Sequence, residues 1–373
     1  MRIALLTYST KPRGGVVHTL NLAEALAAAG ADVTVWSLAR DGDESFFRTV
    51  HASVSVELVP FPTVANETVG ARIMRSIAVL RSGFRREHFD IVHAQDCISA
   101  NAAAPCVRTI HHLDHFTTPE LAACHERAVV DPVARICVSS AVAQEVRDGW
   151  GLEPVVIPNG VEYERFADVA EPAVAHWRSR FGRYVLAVGG IEPRKGSVDL
   201  LEAFALLRAD EPDLDLVFAG GETLFDYRDY RTGFDERAAE LGIRPIVLGA
   251  VPNDDLPSLV AGAAVLPFFS TKEGFGLAAM EALAAGIPVV ARDLPVLREV
   301  FGDAVDYVAT PPDMATALRN ALRPDAARRS RGRALAATYR WADAAEAHLA
   351  FYQRLTEVSG SGPATRTAGP RHE

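Results

Sequence analysis

A chain of 373 residues exceeds what one hydrophobic core commonly supports, so two domains are expected. The formal net charge of −10 argues against a nucleic-acid partner, because neutralising a phosphate backbone needs a basic face. Cys97, Cys106, Cys124 and Cys137 form no CxxC pair, which fits a reduced, cytoplasmic setting better than a disulfide framework; no signal-peptide core and no bilayer-spanning apolar run is read.

In chain order, β-branched runs at 3–8, 33–36, 54–59, 89–93, 107–111, 136–139 and 155–157 predict strands, with Ala/Leu-rich helical runs between most of them. The first helix is expected over 16–29. Segment 68–87 reads as a basic amphipathic helix, broken at most near Gly83. Ile73, Ile77, Leu80 and Phe84 form its apolar stripe, and Arg72, Arg75, Arg81, Arg85 and Arg86 occupy the remaining face. Such a helix can rest weakly on an anionic leaflet, a peripheral contact at the inner membrane face; alternatively the stripe faces the core, which the overall negative charge favours.

A second series of strands is predicted at 184–188, 214–219, 245–248, 264–268, 288–291 and 304–308. Alternation of this kind implies βαβ units around parallel sheets, giving two doubly wound domains, 1–165 and 166–340. Pro158-Asn159-Gly160 is turn chemistry and a hinge between them. Residues 358–373, rich in Gly, Ser and Pro, are expected to be disordered. Ligands of open α/β sheets bind at the strand C-termini, so the functional search belongs in the loops just after the strands.

Three such loops carry candidate chemistry. Ser9 to Gly15 leads into the first helix, where the backbone N–H groups of Gly14 and Gly15 suit a phosphate; the GxGxxG of a nicotinamide site is absent. Gly189-Gly190-Ile191-Glu192-Pro193-Arg194-Lys195-Gly196 places two cations at a helix start, where they can neutralise a diphosphate and stabilise its charge as it departs. Ser270 to Gly286 holds Glu273, Gly274, Phe275, Gly276 and Leu277, followed by a helix expected over 277–285 and buried all round. Glu281 is the only charged residue of that helix, and a lone buried carboxylate is costly unless something hydrogen-bonds to it, as ribose hydroxyls would. Gly274 and Gly276 permit close backbone approach, and Glu273 can accept hydrogen bonds from a sugar.

Together these pieces resemble the retaining glycosyltransferases of family 4, which have the GT-B fold. Their E-x7-E element corresponds to Glu273 and Glu281, written here EGFGLAAME, and VIPNGVEYERF, VGGIEPRKG and LGAVPNDDLPSLVAGAAV also match, so the resemblance covers nearly the whole chain. It implies that Glu281 binds ribose, that Glu273 holds the donor sugar, and that Arg194 and Lys195 hold the diphosphate. It implies that His111, in the T-x-H pattern Thr109-Ile110-His111, lies against the donor sugar, and that 341–357 is a helix crossing back to the N-terminal domain. Gly190 stands where many members have Arg, and Phe269 where Pro is common. The implied reaction moves a hexosyl group from a nucleotide-diphosphate sugar to an acceptor hydroxyl with retention, with no cofactor and no metal.

Other readings share some of these residues. A nucleotide-sugar epimerase or a non-catalytic nucleotide-sugar binder would keep the diphosphate site. A metal-dependent hydrolase would use His111-His112-Leu113-Asp114-His115 with Cys124-His125, but Ile110 stands where the HxHxDH run needs its first histidine.

Overall fold

The computed structural model describes residues 1–114, 116, 118–220 and 227–360, without the side chains of 358–360. His115 and most of the 358–373 tail lie outside the described residues. Seven strands, β1 (Arg2–Leu6), β2 (Asp32–Arg40), β3 (Val54–Phe61), β4 (Ile91–Ala94), β5 (Val107–Ile110), β6 (Ala134–Cys137) and β7 (Val155–Val156), form one parallel sheet ordered β3-β2-β1-β4-β5-β6-β7. Six more, β8 (Arg183–Val188), β9 (Leu214–Ala219), β10 (Ile246–Val247), β11 (Leu266–Phe268), β12 (Val289–Arg292) and β13 (Asp306–Val308), form two parallel trios ordered β10-β9-β8 and β11-β12-β13. A bridge between Val185 and Val265 joins the trios, so the order reads β10-β9-β8-β11-β12-β13. Each series therefore reverses direction beside its first strand, between β1 and β4 and between β8 and β11, the crevice where doubly wound sheets take ligands.

Every strand predicted from sequence has a counterpart, with shifted ends. The largest difference is β2, which continues through Ser37, Leu38, Ala39 and Arg40. Ser and Ala have little intrinsic strand preference, but β3 pairs this stretch out to Arg40 opposite Phe61. That extension carries Arg40 to the C-terminal edge of the sheet.

Helix Val69–Gly83 starts on Thr68, whose hydroxyl accepts the Ala71 N–H at 3.2 Å. Its stripe packs inward: Ile73, Ile77 and Leu80 are buried in a core with Leu6, Leu38 and Val92. The stripe is therefore unavailable to a leaflet. Several of the basic residues are also engaged: Arg75 pairs with Glu67 at 2.7 Å, Arg81 donates to the Asn101 carbonyl and Arg86 to that of Ala103. No described helix is long and apolar enough to cross a membrane.

The last helix, Trp341–Gly360, lies against helix Gly14–Ala28, and its Ala345, Phe351 and Tyr352 share a core with Ile3, Leu5 and Val35 of the seven-stranded sheet. The Tyr352 hydroxyl meets His93 Nδ1 at 2.6 Å on β4. At 158–160 the chain passes between the two series beside the start of this helix: the Val161 N–H donates to the Tyr339 carbonyl at 2.8 Å. Asn159, buried, accepts from His18 Nδ1 at 2.9 Å, so the segment expected to be a hinge is held at both sides.

Candidate active site

The loops after β8 and β11 flank the reversal point of the C-terminal strands, and they are sewn together. The Thr271 N–H donates to the Arg194 carbonyl at 2.7 Å, and Arg292 Nε donates to the Phe269 carbonyl at 2.8 Å. This joins the two sequence motifs into one wall. Lys195 Nζ donates to Glu273 Oε1 at 2.7 Å, and Arg194 Nη1 reaches the same oxygen at 3.3 Å. Burial alone would raise the Glu273 carboxyl, but Lys195 and Arg194 outweigh it and hold the group down at about 2. Glu273 is thus a fixed anion, not a proton donor.

Sequence reasoning missed two members of this cluster. Glu192, 9% exposed, accepts from Arg194 Nη2 at 3.0 Å, and the buried Ser270 also hydrogen-bonds Glu273. Both lie inside the motifs, but nothing in their spacing distinguishes a ligand residue from one that orients an arginine. Two carboxylates balance two cations here, so an incoming diphosphate also needs backbone N–H groups from the glycine-rich loops.

Helix Leu277–Ala284 differs from the expectation of burial all round. Ala279, Met280, Ala282, Leu283 and Ala284 are buried, whereas Leu277, Ala278 and Glu281 share a partly open face at i, i+4 and i+1, i+4 spacing. The Glu281 side chain has no hydrogen-bond or salt-bridge partner among the described residues. The basic group nearest in effect, Arg165, is spent on Glu162 at 2.9 Å. Burial, reinforced by the Glu162 charge and opposed by Arg165, pushes Glu281 up to about 8. Gly276 precedes the helix at φ +103°, a backbone that a side chain would strain. The Phe275 ring turns away, edge-on to Tyr339 at 5.2 Å in the core, so only its backbone faces the loop.

The N-terminal half closes the other side. A Cβ added to Gly274 would fall 1.5 Å from the His111 carbonyl oxygen, so glycine is what lets the two halves touch. A Cβ on Gly15 would stand 3.8 Å from the His111 ring, while Gly14 faces open space. His111 stacks edge-on against His18, centroids 4.6 Å apart. Its Nε2 is buried with no hydrogen-bond partner among the described residues. Burial, then the charge of Arg108, keeps the ring neutral at physiological pH. Gly15, His111, Glu273, Arg194 and Lys195, predicted from four separate stretches, meet at this one junction. His115 of the hydrolase reading lies outside the described residues; of the others, His112 pairs with Asp114 at 3.3 Å and His125 with Cys97 at 3.4 Å, and no group of three metal-ligating side chains occurs among the described residues.

The Glycosyl transferases group 1 family matches residues 180–331, and Glycosyltransferase Family 4 matches residues 12–165. A phosphatidyl-myo-inositol mannosyltransferase of Propionibacterium freudenreichii is 31% identical, the alignment covering 98% of this chain and 97% of that one. A D-inositol 3-phosphate glycosyltransferase of Geodermatophilus obscurus is 28% identical over 95% of this chain and 90% of its own length. Among solved structures, Anabaena HepE with UDP and glucose superposes with a TM-score of 0.73 at 20% identity, covering 97% of this chain and 100% of that one. WaaG, of lipopolysaccharide biosynthesis, superposes at 0.72 with 18% identity over 96% of this chain and 100% of its own. These two likenesses carry the GT-B fold. Because a relative about one-third identical runs the full length of the chain and both halves match the paired families, the protein belongs to the group 1, family 4 glycosyltransferases.

Proposed function

We propose that this glycosyltransferase moves a hexosyl group from a nucleotide-diphosphate sugar to an acceptor hydroxyl with retention of anomeric configuration. The observation that carries the reading is the convergence of Lys195 and Arg194 on Glu273, with the unpartnered carboxylate of Glu281 on the open face of the next helix. In this reading residues 166–340 bind the donor, and residues 1–165 with the helix 341–357 take the acceptor.

Ribose hydroxyls donate to Glu281. Lys195 and Arg194 hold the diphosphate, aided by N–H groups of Gly14, Gly15, Gly274, Phe275, Gly276 and Leu277. Glu273 and His111 position the donor sugar. Glu273 is tied to two cations and makes a poor nucleophile, which favours a same-face reaction. The anomeric carbon–phosphate oxygen bond breaks, the acceptor oxygen bonds to that carbon from the same side, and the acceptor proton passes to the departing phosphate. The protein contributes position and electrostatics. Lys195 and Arg194 stabilise the leaving group together with the backbone N–H groups of these loops, and the reaction so read calls for no metal and no cofactor.

The relatives named for phosphatidyl-myo-inositol and D-inositol 3-phosphate support an inositol hydroxyl as acceptor. A lipid-borne acceptor would bring segment 68–87 near a leaflet through its arginines rather than its apolar stripe.

The test is a donor screen with myo-inositol and its phosphates, with the product anomer read by NMR. An α-linked product from an α-linked donor, formed in EDTA, is expected. Inversion or loss in chelator overturns the mechanism. Nucleoside diphosphate released only when acceptor is present separates transfer from epimerisation or simple binding.

A further inference from the structure

Three arginines gather at the C-terminal edge of the seven-stranded sheet, outside the donor cluster. Arg13 is the residue before helix Gly14–Ala28, Arg40 ends β2, and Arg72 lies in the first turn of helix Val69–Gly83. Tyr8, two residues past β1, sits among them. The Arg13 guanidinium lies 5.6 Å from the Tyr8 ring centre, and the charges of both Arg13 and Arg40 act on the Tyr8 hydroxyl.

Elsewhere this chain pairs such arginines. Arg48 donates to Glu24 and Asn21 at 2.7 Å each, and Arg75 grips Glu67 through two bonds of 2.7 Å. Neither Arg13 nor Arg40 hydrogen-bonds an acid among the described residues; Arg13 hydrogen-bonds the Tyr8 hydroxyl, and Arg40 lies 5.4 Å from the Phe61 ring centre. Nε of Arg13, and both Nε and Nη2 of Arg40, are buried without an acceptor among the described residues. The nearby carboxylates hydrogen-bond elsewhere: Asp43 to Lys11 at 2.8 Å, Glu67 to Arg75, Asp96 to the Tyr8 and Ser99 N–H groups at 3.0 and 2.8 Å, and Asp41 to the Thr63 N–H at 2.8 Å, although the Asp41 charge still favours ionised Arg40. Burial and then the like charge of Arg72, with a further contribution from Arg13, lower the basicity of Arg40. Like charges held together with orphaned donors raise the free energy of the fold unless an anion relieves them.

We infer that Arg13 and Arg40, beside the charge of Arg72 and with the Tyr8 hydroxyl, form a binding site for a phosphate group on the acceptor. The inference rests on the reading of the N-terminal half as the acceptor side. Planar guanidinium forks on separate elements match the several oxygens of a phosphate. Arg13 lies two residues from Gly15, which adjoins His111, so an acceptor anchored here by its phosphate has its ring hydroxyls directed at the donor sugar. The phosphate can belong to a soluble polyol phosphate or to the headgroup of a phospholipid.

The experiment uses the full chain with its donor side filled by a saturating nucleoside diphosphate. Calorimetry is run with inorganic phosphate, myo-inositol 1-phosphate and myo-inositol, and sedimentation with phosphatidylcholine vesicles with and without phosphatidylinositol. The phosphorylated ligand is expected to bind and myo-inositol to bind far more weakly. Arg40→Gln and Arg13→Gln should each reduce phosphate affinity roughly tenfold or more. Their nucleoside-diphosphate affinity should stay constant, and their melting temperatures should hold or rise, because a like charge has been removed. Binding by the vesicle arm alone assigns the phosphate to a lipid, and binding by the soluble arm to a free polyol phosphate; either supports the site. Unchanged phosphate affinity in both variants, or equal binding of myo-inositol and its phosphate, overturns it. Failure to bind any nucleoside diphosphate would instead strike the donor reading. Arg13→Gln, in a loop, keeps the test alive should Arg40→Gln fold poorly.

Discussion

Glu281 is costly to ionise where it stands, and that cost has two measurable consequences. Its carboxyl sits at about 8 against an ordinary 4.5, chiefly through burial. The stabilisation from its neutral form is fully present below pH 4.5 and is lost as pH rises through about 8. Wild-type melting temperature should therefore carry a decline between about pH 4.5 and pH 8 that Glu281→Gln lacks. Ribose hydroxyls favour the ionised form, so donor binding near neutral pH should release up to about one proton, read as a buffer-dependent calorimetric enthalpy. Glu281→Gln should abolish that release and weaken nucleoside-diphosphate binding by ~1.5–3 kcal/mol. Glu273 should behave in the opposite sense. Replacing it with Gln frees Lys195 and Arg194, so diphosphate affinity should hold or rise while turnover falls, by roughly 10²-fold if lost transition-state electrostatics dominate. Reduced diphosphate affinity in Glu273→Gln would show that the carboxylate organises the cations rather than competing for them.

The last helix is held to the N-terminal sheet by apolar packing and one buried polar link. Tyr352, fully buried, meets His93 Nδ1 at 2.6 Å, and His93 Nε2 meets Thr109 Oγ1 at 2.7 Å. Burial keeps His93 well below the ordinary histidine range, so the ring is neutral and needs both partners. Tyr352→Phe leaves one ring nitrogen unsatisfied and should cost ~1–3 kcal/mol, read as a lower urea midpoint with an unchanged m-value. His348 on the same helix is lowered to about 4 by burial. Its folded value lies below its ordinary 6.5, so the stability it contributes is lost as pH falls from 6.5 towards 4. The alternation of β-branched and Ala/Leu-rich runs made the elements legible in sequence, while β2 beyond Trp36 was not, because pairing with β3 rather than its own residues holds it.

At the scale of the whole molecule, the two halves meet through backbone as well as side chains. Glu299, from the C-terminal half, accepts the N–H groups of Ser140 and Ala141 at 2.6 and 2.8 Å, at the start of helix Ser140–Trp150. A carboxylate at a helix N-terminus satisfies free donors and favours the dipole. Together with the Gly274–His111 contact it clasps the cleft shut. Glu299→Ala removes an interaction of roughly 1 kcal/mol, which should shift the ensemble several-fold towards open forms. Small-angle scattering should then give a larger radius of gyration, and kcat/KM should fall with little change in melting temperature. An unchanged scattering profile would show that other contacts hold the halves together.

The sequence by itself determined the succession of strands and helices in each half and the loops that carry the chemistry, because hydrophobic period, glycine position and charge spacing are local properties. It also singled out Glu281 as a charge with no local reason to be in its helix. Only the tertiary structure decided which charges meet. Arg194 and Lys195 share Glu273 across gaps of 79 and 78 residues, Glu192 takes part of Arg194, and the stripe of 68–87 is spent on the core. Tertiary contact likewise left Arg13 and Arg40 with no carboxylate hydrogen bond among the described residues, since pairing depends on which strand ends lie side by side, and spacing along the chain does not encode that.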